Sequence, residues 1–269
     1  MSRAYFEADA VNWSTLKLLR ESPMAYRHAL THKRADTADL AVGRLVHTLA
    51  LEPEAFERDY AVWEGGRRAG KEWEAFVEAN AGRTIFKPDE IEEAVAMANA
   101  VRSHPLVQPY LEGGQFEVPL YWDDPATGLR CKAKPDWLQA DRGVLLDLKT
   151  ARSIEGRQFG NAAARYGYHC QLAHYAAGVQ AAMGWEPSEV RIVAVEKTAP
   201  HDVAVFVVTE DDLYAGQCEV SELLTRLKAH READQWPGRY TTEQALQLPA
   251  WLFSDDDADA DEFGLVIGE

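Results

Sequence analysis

The chain has 269 residues, of which 46% are hydrophobic and 27% charged, with a net charge of −16 at pH 7. Such a composition excludes global disorder, and the length suits one decorated α/β domain as well as two small ones. Taken as a total, the charge argues against a nucleic-acid partner, because such domains usually carry a basic footprint.

Three dispersed cysteines, Cys131, Cys170 and Cys218, form no C-x-x-C pair. A disulfide framework and a cysteine-held zinc or iron–sulfur cluster are therefore not expected. The start lacks an apolar signal core, and no run of about 18 apolar residues occurs, so the expected setting is cytoplasmic, with no membrane partner.

In chain order, residues 12 to 35 read as helix, with Trp13, Leu16, Leu19 and Leu30 near helical spacing and Ser14 as a candidate N-cap. A second helix is predicted from Leu40 to Leu51, stopped by Pro53. Residues 64 to 71 read as a basic loop carrying Arg67, Arg68 and Lys71. Helices follow at 71 to 80 and 88 to 102.

The pattern then changes. Residues 115 to 123 and 129 to 138 read as strands around a turn at 124 to 128. A second turn at 140 to 143 leads to a third strand, 144 to 149. A long helix is predicted over 159 to 183, strands at 189 to 197 and 202 to 209, and a last helix at 210 to 235. This gives one domain over 1 to 253, with a helical part to about 110 and a mixed α/β core from about 111 to 235. Residues 254 to 269 hold seven acids and no Lys or Arg. They read as a flexible solvated tail, or as a docking peptide for a basic partner.

A four-residue turn at 140 to 143 sets residue 139 against 144. Asp136 then opposes Asp147, and Lys149 lies two residues on, opposite Lys134. Val144, Leu146, Leu148, Ala133, Pro135 and Trp137 take the apolar face. Arg130, Lys132, Lys134, Asp136, Asp147 and Lys149 take the other. Opposed carboxylates repel, so either a shared proton or a divalent cation must offset them. Oxygen ligands of this kind suit Mg²⁺ or Mn²⁺, and a lysine beside them can orient water or stabilise developing charge. Spacing alone equally allows a surface hairpin with scattered charges.

Pro135-Asp136, ten residues, then Asp147-Leu148-Lys149 resembles the PD-(D/E)XK nuclease signature. Gly43-Arg44-Leu45-Val46-His47 resembles the G-x-x-x-H helix motif of its RecB-like and lambda-exonuclease-like branch. Gln171-Leu172-Ala173-His174-Tyr175 resembles the Q-x-x-x-Y motif of the same branch. Asn12 to Lys17 and Ser22 to Tyr26 resemble the opening of RecE-type exonuclease domains. The set spans about residues 10 to 210.

The resemblance implies a restriction-endonuclease-like core, a mixed central sheet flanked by helices with an N-terminal helical elaboration. It implies His47, Asp136, Asp147 and the Leu148 carbonyl as metal ligands, Lys149 serving the attacking water, and Gln171 and Tyr175 supporting them. Glu117 matches a recurring acidic position. Ser14 resembles a serine that binds a 5′-phosphate, though an N-cap role explains it equally well. Arg44, Arg67, Arg68, Lys132 and Lys134 are candidate DNA contacts. His169 and His174 flank Gln171 without completing a zinc set.

The implied activity is Mg²⁺-dependent 5′→3′ exonuclease action on linear double-stranded DNA, with Mn²⁺ able to substitute, releasing 5′-mononucleotides and leaving a 3′ overhang. The implied assembly is a homo-oligomeric ring, trimer or tetramer. The implied partner is a single-strand annealing protein of the RecT or lambda-beta type, in a bacterial or phage-infected cell. A single-strand or flap nuclease, an endonuclease, or a non-catalytic DNA-binding subunit of the same fold are the alternatives. The chain lacks the four cysteines of iron–sulfur relatives and the G-x-x-x-x-G-K-[ST] motif of a motor.

Overall fold

In this computed structural model, residues 3–32, 37–249 and 252 are described; the acidic tail, 254 to 269, lies outside them. The helical part comprises α1 (Arg3–Glu7), α2 (Trp13–Leu16), α3 (Pro23–Thr31), α4 (Ala38–Leu51), α5 (Phe56–Asp59), strand β1 (Tyr60–Val62), α6 (Lys71–Ala79), β2 (Thr84–Phe86) and α7 (Pro88–Ser103). The core comprises β3 (Gln115–Phe116), β4 (Leu120–Asp123), β5 (Arg130–Ala133), β6 (Trp137–Gln139), β7 (Val144–Ala151), α8 (Gly156–Tyr166), α9 (Tyr168–Met183), β8 (Glu189–Glu196), β9 (Val203–Val207) and α10 (Glu210–Ala233).

Five strands form the central mixed sheet in the order β3-β6-β7-β8-β9, with β7 and β8 parallel and the other pairs antiparallel. The expected hairpin register holds: Gln139 pairs with Val144, Leu138 with Leu145 and Trp137 with Leu146. The ladder ends there, so Asp136 leaves the sheet one residue before it would face Asp147.

Side chains alternate across β7, and both faces are covered. Leu145 joins Leu138, Ile192 and Ala194 in a cluster capped by residues of α9 and α10. Val144, Leu146 and Leu148 join Trp137, Val193 and residues of α4 and α7 in a second. The expectation of one apolar and one polar hairpin face is thus corrected. The polar groups are confined to the end of the sheet, where the full burial of β7 gives way over its last three residues.

Four expected elements are interrupted. The 12-to-35 helix breaks at residues 21 and 22, where Ser22 caps α3 and Pro23 occupies its first position. Asn12, not Ser14, caps α2, accepting from the Thr15 amide at 2.9 Å; Ser14 is exposed inside the first turn. The strand expected at 115 to 123 splits at Glu117, whose φ of 46° is left-handed. The strand expected at 129 to 138 splits around Pro135, which cannot donate to a ladder, so β4 and β5 form a separate two-stranded sheet. The long helix splits at Gly167, φ 70°, where a Cβ would lie 2.5 Å from the Trp13 ring. A parallel β1–β2 pair, too short to read as periodic sequence, adds to the helical part.

No helix among the described residues is long and apolar enough to cross a membrane. The three cysteines are free.

Candidate active site

The site gathers at the end of β7 because an apolar strand carries one acid in its buried stretch. Asp147 is only 1% exposed on its side chain. The Lys149 ammonium, two residues on and so on the same face, makes an ion pair with Asp147 Oδ2. That oxygen is buried and receives no hydrogen bond among the described residues, whereas Oδ1 accepts one from Gln171 Nε2 at 3.2 Å. Gln171 also donates to the Tyr175 hydroxyl at 2.7 Å. The two residues lie one turn apart on α9, the spacing that stacks side chains on one helix face.

Asp136, freed from the ladder by Pro135, folds its carboxylate back over β7. Its Oδ2 accepts from the Leu148 amide at 2.8 Å and lies 3.4 Å from His47 Nδ1 on α4. Leu148 therefore enters the site through its N–H as well as lying between Asp147 and Lys149. The structure brings together six of the residues singled out by sequence: His47, Asp136, Asp147, Lys149, Gln171 and Tyr175.

The two carboxylates are shifted in opposite directions. For Asp147, burial outweighs the Lys149 charge, and Asp136 adds repulsion, so its pKa is pushed up. For Asp136, burial acts the same way but is overcome by His47, Lys149 and the Leu148 amide, which hold it below the usual carboxylate range. Burial would lower His47 and Lys149, but Asp136 lifts the first and Asp147 the second. Burial also raises Tyr175 well above an ordinary phenol, keeping it a neutral partner for Gln171.

A cavity of about 250 Å³ opens beside these groups, lined by Ser14, Arg44, His47, Glu117, Lys134 and Asp136 among others. Glu117 Oε2 pairs with Lys134 Nζ at 2.7 Å, and its backbone amide donates to the Asp136 carbonyl at 3.2 Å. Its left-handed backbone is the kind of local strain that clusters at working sites. Tyr5 and Phe6 also line the cavity. Sequence reasoning missed them, because α1 is too short to show periodicity.

Three candidate DNA contacts fall elsewhere. Lys132 is 4% exposed and donates to the carbonyls of Tyr5 and Ala8, both at 2.8 Å, so it fastens the N-terminal segment instead of facing a phosphate. It sits on β5, outside the central sheet, where the alternation expected from the hairpin does not carry past Pro135. Arg68 pairs with Glu90 on α7 at 2.5 Å, and Arg67 is exposed on the same loop; neither lines the cavity. Arg130 pairs with Asp123 on the surface.

His174 is buried, with Nε2 3.1 Å from the Lys132 carbonyl, and burial depresses its pKa to about 4. His169 does have a metal-like neighbourhood: its ring, the Cys170 thiol and the Glu219 carboxylate lie within 4.8 Å of one another. The Arg20 guanidinium, however, holds both Glu219 oxygens and contacts the Cys170 sulfur. A cation is already supplied there by the protein.

Comparison with known proteins adds the family. A family model described as "PDDEXK-like domain of unknown function (DUF3799)" matches residues 12–247. Among solved structures, a Eubacterium rectale protein named "Putative exonuclease" is similar with a TM-score of 0.63 and 14% identity, over 95% of this chain and 98% of that one. A "phage related exonuclease" from Haemophilus somnus matches with a TM-score of 0.40 and 12% identity, over 87% of this chain and 99% of that one. No curated protein matches. At such identities the first likeness speaks for a shared fold.

Proposed function

This chain belongs to the PDDEXK-like family, and from that premise we propose that it is a divalent-metal-dependent exonuclease degrading the 5′-ended strand of linear double-stranded DNA. A PDDEXK-like domain supports a nuclease function, and nucleases of this kind generally use divalent metal ions. The observation that carries the reading is the closed set Asp136, Asp147, Lys149, His47, Gln171 and Tyr175 at the end of one sheet.

The donor set fits a hard cation. His47 Nδ1 lies 3.4 Å from Asp136 Oδ2, and the buried Asp147 carboxylate, paired with Lys149, adds a second acid from β7. Asp136, Asp147 and His47, with the Leu148 carbonyl, would hold Mg²⁺, or Mn²⁺ in its place. When bound, the ion supplies neutralisation of the carboxylates and Lewis-acid polarisation of the phosphodiester.

The chain's own residues do the rest. Lys149, desolvated and charged, orients the attacking water and stabilises charge on the phosphoryl oxygens. Gln171, tied to Asp147 Oδ1 and to Tyr175, fixes that carboxylate in one rotamer. Water attacks phosphorus, the P–O3′ bond breaks, and the 5′-mononucleotide leaves with a 3′-hydroxyl. Ser14, Arg44 and Lys134 line the adjoining cavity, which supports a role for them in receiving the terminal phosphate. Glu117 holds Lys134 there.

The wider reading is a homo-oligomeric ring, trimer or tetramer, threaded on its duplex and handing the 3′ strand to a single-strand annealing protein for recombination. It rests on the resemblance of the motif set. The experiment offers a 5′-phosphorylated linear duplex, a closed circle and a single strand, each with Mg²⁺. Rapid loss of the linear duplex alone is expected. Cutting of the circle overturns exonuclease action, and exclusive loss of the single strand favours the flap-nuclease alternative.

A further inference from the structure

An aromatic ladder runs from the catalytic lysine to the protein surface. Lys149 Nζ lies 5.0 Å from the centre of the Tyr168 ring. Tyr168 stacks on Tyr166 at 5.9 Å and 28°, and the Arg165 guanidinium lies 6.0 Å from the Tyr166 ring. The kink at Gly167 separates the two tyrosines, and Trp13 and Arg20 press on the space where a Cβ would stand there. Tyr168 is anchored on its other side by Phe159, which stacks on Phe206. Tyr168 is half-buried, while Tyr166 is 49% exposed. Neither lines the cavity next to His47 and Asp136, so the ladder leaves the site by a different path.

The surface around the ladder departs from the charge of the chain. Residues 152 to 168 hold Arg152, Arg157 and Arg165 against the single acid Glu155, in a protein of net charge −16. The Glu155 carboxylate is turned onto the amides of Arg157 and Gln158 as a helix cap. Arg157 and Arg165, eight residues apart on α8, share a face and are exposed, with no carboxylate partner among the described residues. An exposed arginine beside stacked tyrosines, with a second one farther along the same helix, is what an unpaired nucleic-acid strand binds, with bases on the rings and phosphates on the guanidinium groups.

We propose that Tyr166, backed by Tyr168, and the arginines of α8 form a single-strand binding track that carries the scissile strand to Lys149. The proposal rests on the nuclease reading. Stacking needs an unpaired base, so the track engages the strand where it has separated from its complement. It gives the acidic chain a local cationic path to its catalytic centre.

The test uses the full chain carrying Tyr166→Ala, Tyr166→Phe, or Arg157→Gln with Arg165→Gln. All of these side chains are exposed, and substitution leaves the core intact. Binding of a labelled oligonucleotide is measured against salt in an Asp147→Asn background, and KM and kcat in the otherwise native chain. Tyr166→Ala is expected to weaken single-strand binding about tenfold, and Tyr166→Phe to restore it. The arginine pair is expected to reduce the slope of log affinity against log salt by about 1.4. In turnover, KM rises more than kcat falls. If the native chain cuts DNA and the Ala and Gln variants bind and cut like it, the track is overturned and the nuclease reading stands. If the native chain neither binds nor cuts DNA, both fall together.

Discussion

The two faces of β7 begin alike and end differently. Val144, Leu146 and Leu148 meet only apolar partners under α4 and α7. On the other face Leu145 is equally buried, but the next two positions are Asp147 and Lys149, and α9 sets Gln171 against Asp147, with Tyr175 one turn on. The first face is a core in the ordinary sense, with stability set by packing. The second buries titratable groups whose charges are disfavoured there, and their cost is offset only by one another. His47 joins the two: it belongs to α4, whose Leu45 and Val46 pack the dry face, yet its ring reaches Asp136. Stability and chemistry should therefore respond to different substitutions.

The largest effect separates the two carboxylates. Asp136→Asn and Asp147→Asn should each lower the cleavage rate by on the order of a thousandfold or more, since a pre-placed charge in a dry site is lost. Their stabilities should diverge. Asp136 is held ionised by His47 and the Leu148 amide, with a pKa of about 2, so its loss costs about 2 kcal/mol at neutral pH. Asp147 is ionised against burial, a gain on its removal that is set against the Lys149 ammonium left unpaired, so Asp147→Asn should lower the urea midpoint less than Asp136→Asn does. A midpoint lowered more by Asp147→Asn than by Asp136→Asn would break the distinction.

Next comes the dry face. Leu146→Ala should destabilise by roughly 3 kcal/mol, the scale of a cavity in a packed core, while the rate per folded molecule stays near normal. Denaturant titration alongside active-site counting checks both halves.

A pH effect of similar size belongs to the other side of α9, which packs on β4 and β5. His174 has a folded pKa of about 4 against an ordinary value of 6.5. Between these values the unfolded chain binds the extra proton, so stability is full above about pH 6.5 and falls as pH drops towards 4. The loss approaches about 3 kcal/mol. His174→Gln should flatten that part of the stability profile, measured as thermal midpoint against pH.

The smallest effect is at Gln171. Gln171→Leu removes the hydrogen bond that fixes Asp147 and should slow cleavage roughly 10- to 100-fold with little change in stability. A loss as deep as that of Asp147→Asn would place Gln171 among the groups that touch the substrate.

Much of this was legible in sequence, for identifiable reasons. The pairing of Gln139 with Val144 follows from a four-residue turn flanked by alternating side chains, but the ladder stops at Trp137 and Leu146, so the facing of Asp136 with Asp147 that it implied is not made. The motif residues His47, Gln171 and Tyr175 converge as their resemblance implied. What could not be read was decided by tertiary contacts. Glu117 adopts a left-handed backbone where β3 hands the chain to a second sheet. Pro135 ends the alternation that would have put Lys132 on the site face. Gly167 breaks a helix whose propensities run through it, because Trp13 and Arg20 pack against the bend. The net charge as a single number hides an uneven spread: seven acids fall in residues 254 to 269, while residues 152 to 168 hold three arginines against one acid.

The central claim is that Asp136, Asp147 and Lys149 form a metal-dependent phosphodiesterase centre. The most direct measurement follows a linear duplex labelled at one 5′ end, with and without a divalent cation, using the native chain and Lys149→Met side by side. The account predicts early release of the label as a mononucleotide by the native chain with metal, and none after chelation or with Lys149→Met. Label release that survives chelation, or a Lys149→Met protein that cuts at the native rate, would contradict it.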